Sequence, residues 1–319
     1  MPQMSVGLAM ILLVVGNLIA VCSDAMIKSL GDDTAIFQFV FFRQLTSVAI
    51  LAPFCIGTKK EAFFEGFKWH ALRGHIWLLG MVFMVISITS LPLATANAIF
   101  YAAPLIMLPL AMMLFQEKLS KYSVGVAVIG FLGVLVIIRP TEINWAAIAA
   151  LIVAFTLAWN NLLVRKLPKH QTVAQTLLLT NLAGMPAALA LALWEGQPWD
   201  WSPLLTAAGS STFIMIYAGA CVLAYRSAES NKIASAEYSG LIGAVIIGML
   251  WFDEVPDLPM ILGTLMIIMP LVWLAQKEKR AKKKAAAGNQ TNASAAEGMV
   301  TEGIVTEDMA AKAIEETKA

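Results

Sequence analysis

Charge is scarce in this sequence of 319 residues. Asp, Glu, Lys and Arg together make up 13% of it, whereas a soluble domain carries about 25%. That is too little to cover a water-facing surface. The net charge of +1 offers none of the basic excess that nucleic-acid binding draws on. Only three cysteines occur, Cys22, Cys55 and Cys221. All fall in apolar runs without metal-site spacing, which argues against a disulfide framework and for packed thiols. The three histidines, His70, His75 and His170, fall in segments that read as loops. There is no HExxH, no GxSxG and no pair of intramembrane aspartates, so the chain reads as a non-enzyme with no metal or cofactor. A GxxxxGK[ST] loop is also missing, which excludes an ATP-driven pump in one chain.

What the sequence has in abundance is apolar length. Hydrophobic residues make up 59% and the mean hydropathy is +0.75. Runs of about 18 or more apolar residues are the mark of membrane-spanning helices. Ten are expected, at about 5–27, 34–56, 75–91, 93–115, 121–139, 144–164, 172–194, 203–224, 230–252 and 257–275. The opening MPQMSVGLAM lacks a basic region and a cleavage pattern, so it reads as a first span rather than a signal peptide. Pro104 and Pro109 should kink the fourth span or free backbone carbonyls within it. Of the 22 Lys and Arg, all but Lys28, Arg43 and Arg139 fall in even-numbered loops or the tail. That bias predicts both termini in the cytoplasm. Beyond about residue 276 the basic, then Ala-, Gly-, Ser- and Asn-rich sequence reads as a disordered cytoplasmic tail.

The chain is also written twice. Adding 137 takes Tyr101 to Tyr238, Phe115 to Phe252, Glu117 to Glu254 and Gln38 to Gln175. The expected fold class is therefore an all-α membrane protein, with ten transmembrane helices in two five-helix repeats. The expected division is 1–139, 140–276 and a tail at 277–319. An odd number of spans per half inverts the second copy in the membrane. A substrate site is then expected between the halves, near the midplane.

Two segments carry a family resemblance. ATANAIFYAAPLIMLPLAMMLFQEKLS ends one helix and IASAEYSGLIGAVIIGMLWFDEVPD ends its repeat mate. A helix closing in Phe-x-Glu, followed by a Gly-rich span, resembles the EamA-type members of the drug/metabolite transporter superfamily. The resemblance spans about residues 5–276. It implies a carrier in the bacterial inner (plasma) membrane, moving a small organic solute across the bilayer. It leaves the substrate open among amino acids, nucleotide-linked metabolites, vitamins and drugs. Ala236-Glu237-Tyr238 is similar to a subgroup that includes S-adenosylmethionine uptake carriers.

Ionisable groups inside spans usually face a cavity or a partner. Arg43, well inside span two, either clamps a substrate carboxylate or phosphate or pairs structurally, with Glu237 as one partner. Glu237 either couples protons, balances a cationic substrate, or snorkels to the interface. Asn17, Asp24 and Lys28 share a face of span one. Asn17 could bond substrate or a neighbouring helix, and Asp24 with Lys28 reads as a surface ion pair. Asn97, Tyr101 and Pro104 share a face of span four, and Tyr238 mirrors Tyr101. Trp159, Asn160 and Asn161 form a polar-aromatic patch, with Asn181 a further polar residue in span seven. Glu117 and Glu254 read as structural acids at helix ends. Gly125, Gly130, Gly133 and Gly263 suit close packing, within one bundle or across a homodimer. The expected function is secondary transport of an amino-acid-like metabolite by alternating access. The alternatives are a multidrug or toxic-metabolite exporter and a non-transporting scaffold or sensor.

Overall fold

The computed structural model describes residues 6–31, 34–56, 64–116, 121–139, 144–168, 170–227, 239–277 and 280. The described residues form helices, turns and connecting segments, with no strand among them. In chain order they are α1 Val6–Lys28, α2 Ile36–Leu51 with a 3₁₀ turn Ala52–Cys55, α3 Phe67–Ser90, α4 Leu93–Phe100 and α5 Ala103–Phe115. Then follow α6 Lys121–Ile138, α7 Trp145–Leu163, α8 Val173–Trp194, α9 Leu204–Ser227 and α10 Ser239–Trp251. The last is α11, Leu258–Lys277.

Among the described residues eight segments are long and apolar enough to cross a membrane, α4 and α5 together making one of them. Two shorter apolar helices, Leu204–Ala220 and Ser239–Trp251, add to these. This is an integral membrane protein. Its outward faces carry bare apolar side chains, Ile11 at 61% and Leu250 at 73% exposure. Water would penalise such faces, and lipid accepts them.

Local chemistry sets the ends. Thr172 opens α8 with a full capping box: its hydroxyl accepts from Gln175 N, and Gln175 reaches back to Thr172 N. Asn144 caps α7 by accepting from Ala146 and Ala147. Glu195, just past α8, accepts the N–H groups of Phe37 and Gln38 at 3.1 Å each. A carboxylate thus meets the positive end of α2. Gly196 turns the chain away at φ +69°, a left-handed step that glycine makes without steric cost. Pro104 stands at the head of α5 and cannot continue the helix from α4. The break falls at Tyr101–Ala102, where Ala102 N bonds Ile99 O in a tighter turn.

The helix starts recur at one spacing. Ile36 and Val173, Phe67 and Leu204, and Lys121 and Leu258 each differ by 137. The left-handed residues that follow α5 and α10, Gln116 at φ 54° and Asp253 at φ 52°, differ by 137 as well. Helix α1 packs along α9, α3 along α7, and α2 along α8. Small residues set two further approaches, of α3 with α8 and of α6 with α11. A Cβ on Gly184 would lie 2.8 Å from Gly74 O, and one on Gly133 would lie 2.6 Å from Gly263 O. The second pair joins α6 to α11 within one chain.

Residues 1–272 form one compact unit and residues 273–319 a second. Of the second, the described part is mainly the end of α11, where Lys277 stands 4.8 Å above the Trp273 ring. The expected tail lies almost wholly outside the described residues, as do Glu117, Glu237 and Tyr238.

Two expectations are corrected. The third span begins at Phe67 rather than near 75. His70 and Arg73 therefore sit inside a helix, both buried; His75 also lies within it. Their polarity hid the helix start, yet His70 Nε2 meets Gln171 Oε1 at 2.9 Å and Arg73 Nη1 donates to Thr180 Oγ1 at 3.3 Å. Asp24 and Lys28 are no surface pair either. Lys28 pairs with Glu254 at 2.8 Å and donates to Ile88 O and Leu91 O. Glu254 also accepts Leu93 N at 2.6 Å. This knot ties the end of α1 to the α3–α4 connection and the segment after α10.

Candidate functional site

A cavity of about 310 Å³ lies among the helices. Its wall is built from α1, α2, α3, the α4 end, α7, α8, α9 and α10, whereas α5, α6 and α11 contribute nothing to it. Most of the wall is apolar or aromatic, including Trp77, Met81, Phe100 and Tyr217. Ligand pockets share this makeup: an apolar lining with a few placed polar groups. Three pairs of lining residues, Ala20 with Leu157, Trp77 with Ile214 and Met81 with Ala218, are 137 apart.

The polar groups are few. Arg43 is 3% exposed, and its Nε and Nη1 have no hydrogen-bond partner. Helix α2 presents it through the backbone: Ser211 Oγ and Thr46 Oγ1 both donate to Arg43 O. Asp24 is 6% exposed and accepts from Asn97 Nδ2 at 3.2 Å. Among the described residues no cation lies within 4 Å of Asp24, and no carboxylate lies that close to Arg43. The two charges face one cavity without touching.

Three asparagines complete the lining. Asn17, Asn97 and Asn181 each direct Nδ2 to the carbonyl four residues back, at Leu13, Leu93 and Leu177. Each amide oxygen is thereby left for other donors. Asn17 Oδ1 and the Tyr101 hydroxyl both lie beside Gly240. Gly240 matters here because a side chain in its place would meet both groups.

The structure thus brings together Asn17, Arg43, Asn97, Tyr101 and Asn181 of the residues singled out in the sequence. It does not bring Trp159 or Asn160 to the cavity. On α7 the lining residues are Val153 and Leu157. Asn160 sits about one turn further on and bonds Thr156 O, while Trp159 packs its ring against Phe155 at 5.8 Å. Asn161 is exposed. Asp24 is the residue that sequence reasoning misplaced. Its signal was present, because Asn17 and Asp24 share one face of α1, and that face is the cavity wall.

A bundle of apolar helices around a sparsely polar cavity, with its wall drawn from both halves of the chain, has the build of a small-molecule membrane carrier. The comparisons agree. Residues 7–139 match the EamA-like transporter family. It is 24% identical to an S-adenosylmethionine uptake transporter of Rickettsia prowazekii, over 81% of this chain and 89% of that one. It is 22% identical to a riboflavin transporter of Vibrio cholerae, over 75% and 82% of the two chains. A solved crystal structure, 15% identical, superposes with a TM-score of 0.56 over 85% of this chain and 98% of that one. That last likeness speaks for the fold alone.

Proposed function

We propose that the protein is a secondary carrier of a small organic metabolite, amino-acid-like or related, working by alternating access. The observation that carries this is Arg43. A buried guanidinium that lines a cavity of about 310 Å³, with Nε and Nη1 unpartnered and no carboxylate within 4 Å among the described residues, is costly unless a ligand brings the counter-charge. Its planar fork suits a carboxylate or phosphate. The named substrates of the relatives are themselves small organic metabolites. The recurrence of helix starts and cavity-wall residues at 137 supports two repeats, about 1–139 and 140–276. Inversion of the second repeat would supply two gate states around one site. In this reading Asn17, Asn97, Tyr101 and Asn181 line the substrate site with Arg43. Glu237 and Tyr238 belong to the same proposal from the sequence alone, as do the cytoplasmic termini.

Flux into proteoliposomes tests the reading. Purified protein should move S-adenosylmethionine or a standard amino acid faster than empty liposomes. Arg43→Lys, which keeps the charge and loses the fork, should cut that flux at least about tenfold at normal expression. Wild-type kinetics in that variant would return Arg43 to a structural role.

A further inference from the structure

We infer that the cavity is built for a zwitterion, with Asp24 and Asn97 forming a subsite for its positive group opposite Arg43. This rests on the carrier reading above and names the substrate class of the same site.

The argument starts from two charges that do not meet. Asp24 and Arg43 line one cavity, both buried, and no ion pair joins them. Asp24 has one hydrogen bond from a neutral amide, at 3.2 Å. Arg43 has two donor atoms with no partner. Buried charges are ordinarily paired. Lys28, one turn beyond Asp24 on the same helix, is the nearest cation along the chain. It is turned away to Glu254, Ile88 O and Leu91 O. The charge of Asp24 is thus left to the cavity.

The surroundings of Asp24 favour a cation. Asn97 commits its amide nitrogen to Asp24 and to Leu93 O, which leaves its oxygen to accept. Asn17, on the same α1 face, likewise commits its nitrogen to Leu13 O. Phe100 and Tyr101, at the C-terminal end of α4, line the same cavity, and a helix C-terminus carries partial negative charge. Trp77 and Tyr217 also line the cavity, and aromatic rings attract cations.

Formal charge then selects the ligand. Among the described lining residues, Arg43 and Asp24 are the charged ones. A simple anion would satisfy Arg43 but meet repulsion from Asp24. A simple cation would meet the reverse. A molecule carrying a carboxylate and an ammonium or sulfonium satisfies both. The apolar remainder of the wall takes its side chain.

The test compares whole ligands with their halves. The full-length purified protein is unfolded thermally with S-adenosylmethionine and each standard amino acid. The corresponding deaminated acids and decarboxylated amines are run beside them. At least one zwitterion should raise the Tm, with a Kd at least about tenfold below that of either half. In Asp24→Asn the advantage over the deaminated acid should vanish while the acid itself still binds. The asparagine is isosteric and can still accept from Asn97. Should that variant fail to fold, the wild-type comparison decides alone. A deaminated acid binding as tightly as its zwitterion overturns the zwitterion and leaves the Arg43 clamp standing. Stabilisation by none of these compounds overturns the zwitterion and the amino-acid-like substrate together.

Discussion

Replacing Arg43 by glutamine separates a ligand clamp from a structural strut by the sign of the stability change. Arg43 is 3% exposed, and its Nε and Nη1 have no partner. An unsatisfied buried donor costs about 1–3 kcal/mol; Arg43→Gln removes the charge and two such donors, and puts a shorter neutral amide in their place. The attraction between Arg43 and Asp24 across the cavity is lost as well, which offsets part of that gain. The expected net change is a stability within about 1 kcal/mol of wild type, or above it. A strut behaves differently. Breaking a buried ion pair by removing one partner costs about 3–5 kcal/mol. The assay is reversible thermal unfolding of both proteins in the same detergent, with and without ligand. A ligand at a hundred times its Kd stabilises wild type by about 2.7 kcal/mol, and Arg43→Gln should lose most of that. A ligand-free loss of 3 kcal/mol or more would refute the clamp.

The Lys28–Glu254 pair, with side chains only 12% and 14% exposed, should behave in the opposite way. Lys28→Met or Glu254→Gln should each lower stability by about 2–4 kcal/mol, and a double-mutant cycle should give a coupling above about 1 kcal/mol. Additivity of the two would remove the knot from the argument. Gly240→Ala adds a Cβ 3.4 Å from Asn17 Oδ1 and against the Tyr101 hydroxyl. Displacing the Tyr101 hydroxyl should lower stability by about 1–3 kcal/mol while flux in proteoliposomes drops sharply. Unimpaired flux would place Tyr101 outside the path of the substrate. Gly263→Leu drives its Cβ into Gly133 O and to 2.5 Å from Ile137 Cγ1. It should cost about 1–3 kcal/mol by overpacking and leave substrate preference among competing solutes unchanged.

Most of the helical architecture was legible because a bilayer leaves few options. Each span must be apolar and satisfy its own backbone, so hydropathy locates it. The interruption between α4 and α5 was legible for a similarly local reason, since Pro104 cannot continue a helix. Asp24 was misread because its local pattern looked complete: a lysine four residues on is the usual helix-surface partner. The real partner of Lys28 is Glu254, in the other half of the chain, and periodicity within one helix cannot report that. His70 and Arg73 were placed in a loop because polar residues lower hydropathy. Their partners, Gln171 and Thr180, again come from the second half. Trp159 and Asn160 drew attention by composition, and only the rotation and depth of α7 decide which of its residues face inward.

The contact of α6 with α11 through Gly133 and Gly263 has a consequence for how this molecule can change. Neither helix reaches the cavity, yet their backbones touch where a single methyl group would not fit. The seam that fastens one half to the other is thus spatially separate from the surface that reads the solute. Substitutions that retarget the carrier can accumulate on α1–α4 and α7–α10 without loosening that seam. If the chain works by the alternating access proposed above, substitutions along the seam would alter how far and how fast the halves move, for every solute alike. A selection for new substrates and a selection for altered turnover should therefore return mutations from two different sets of helices.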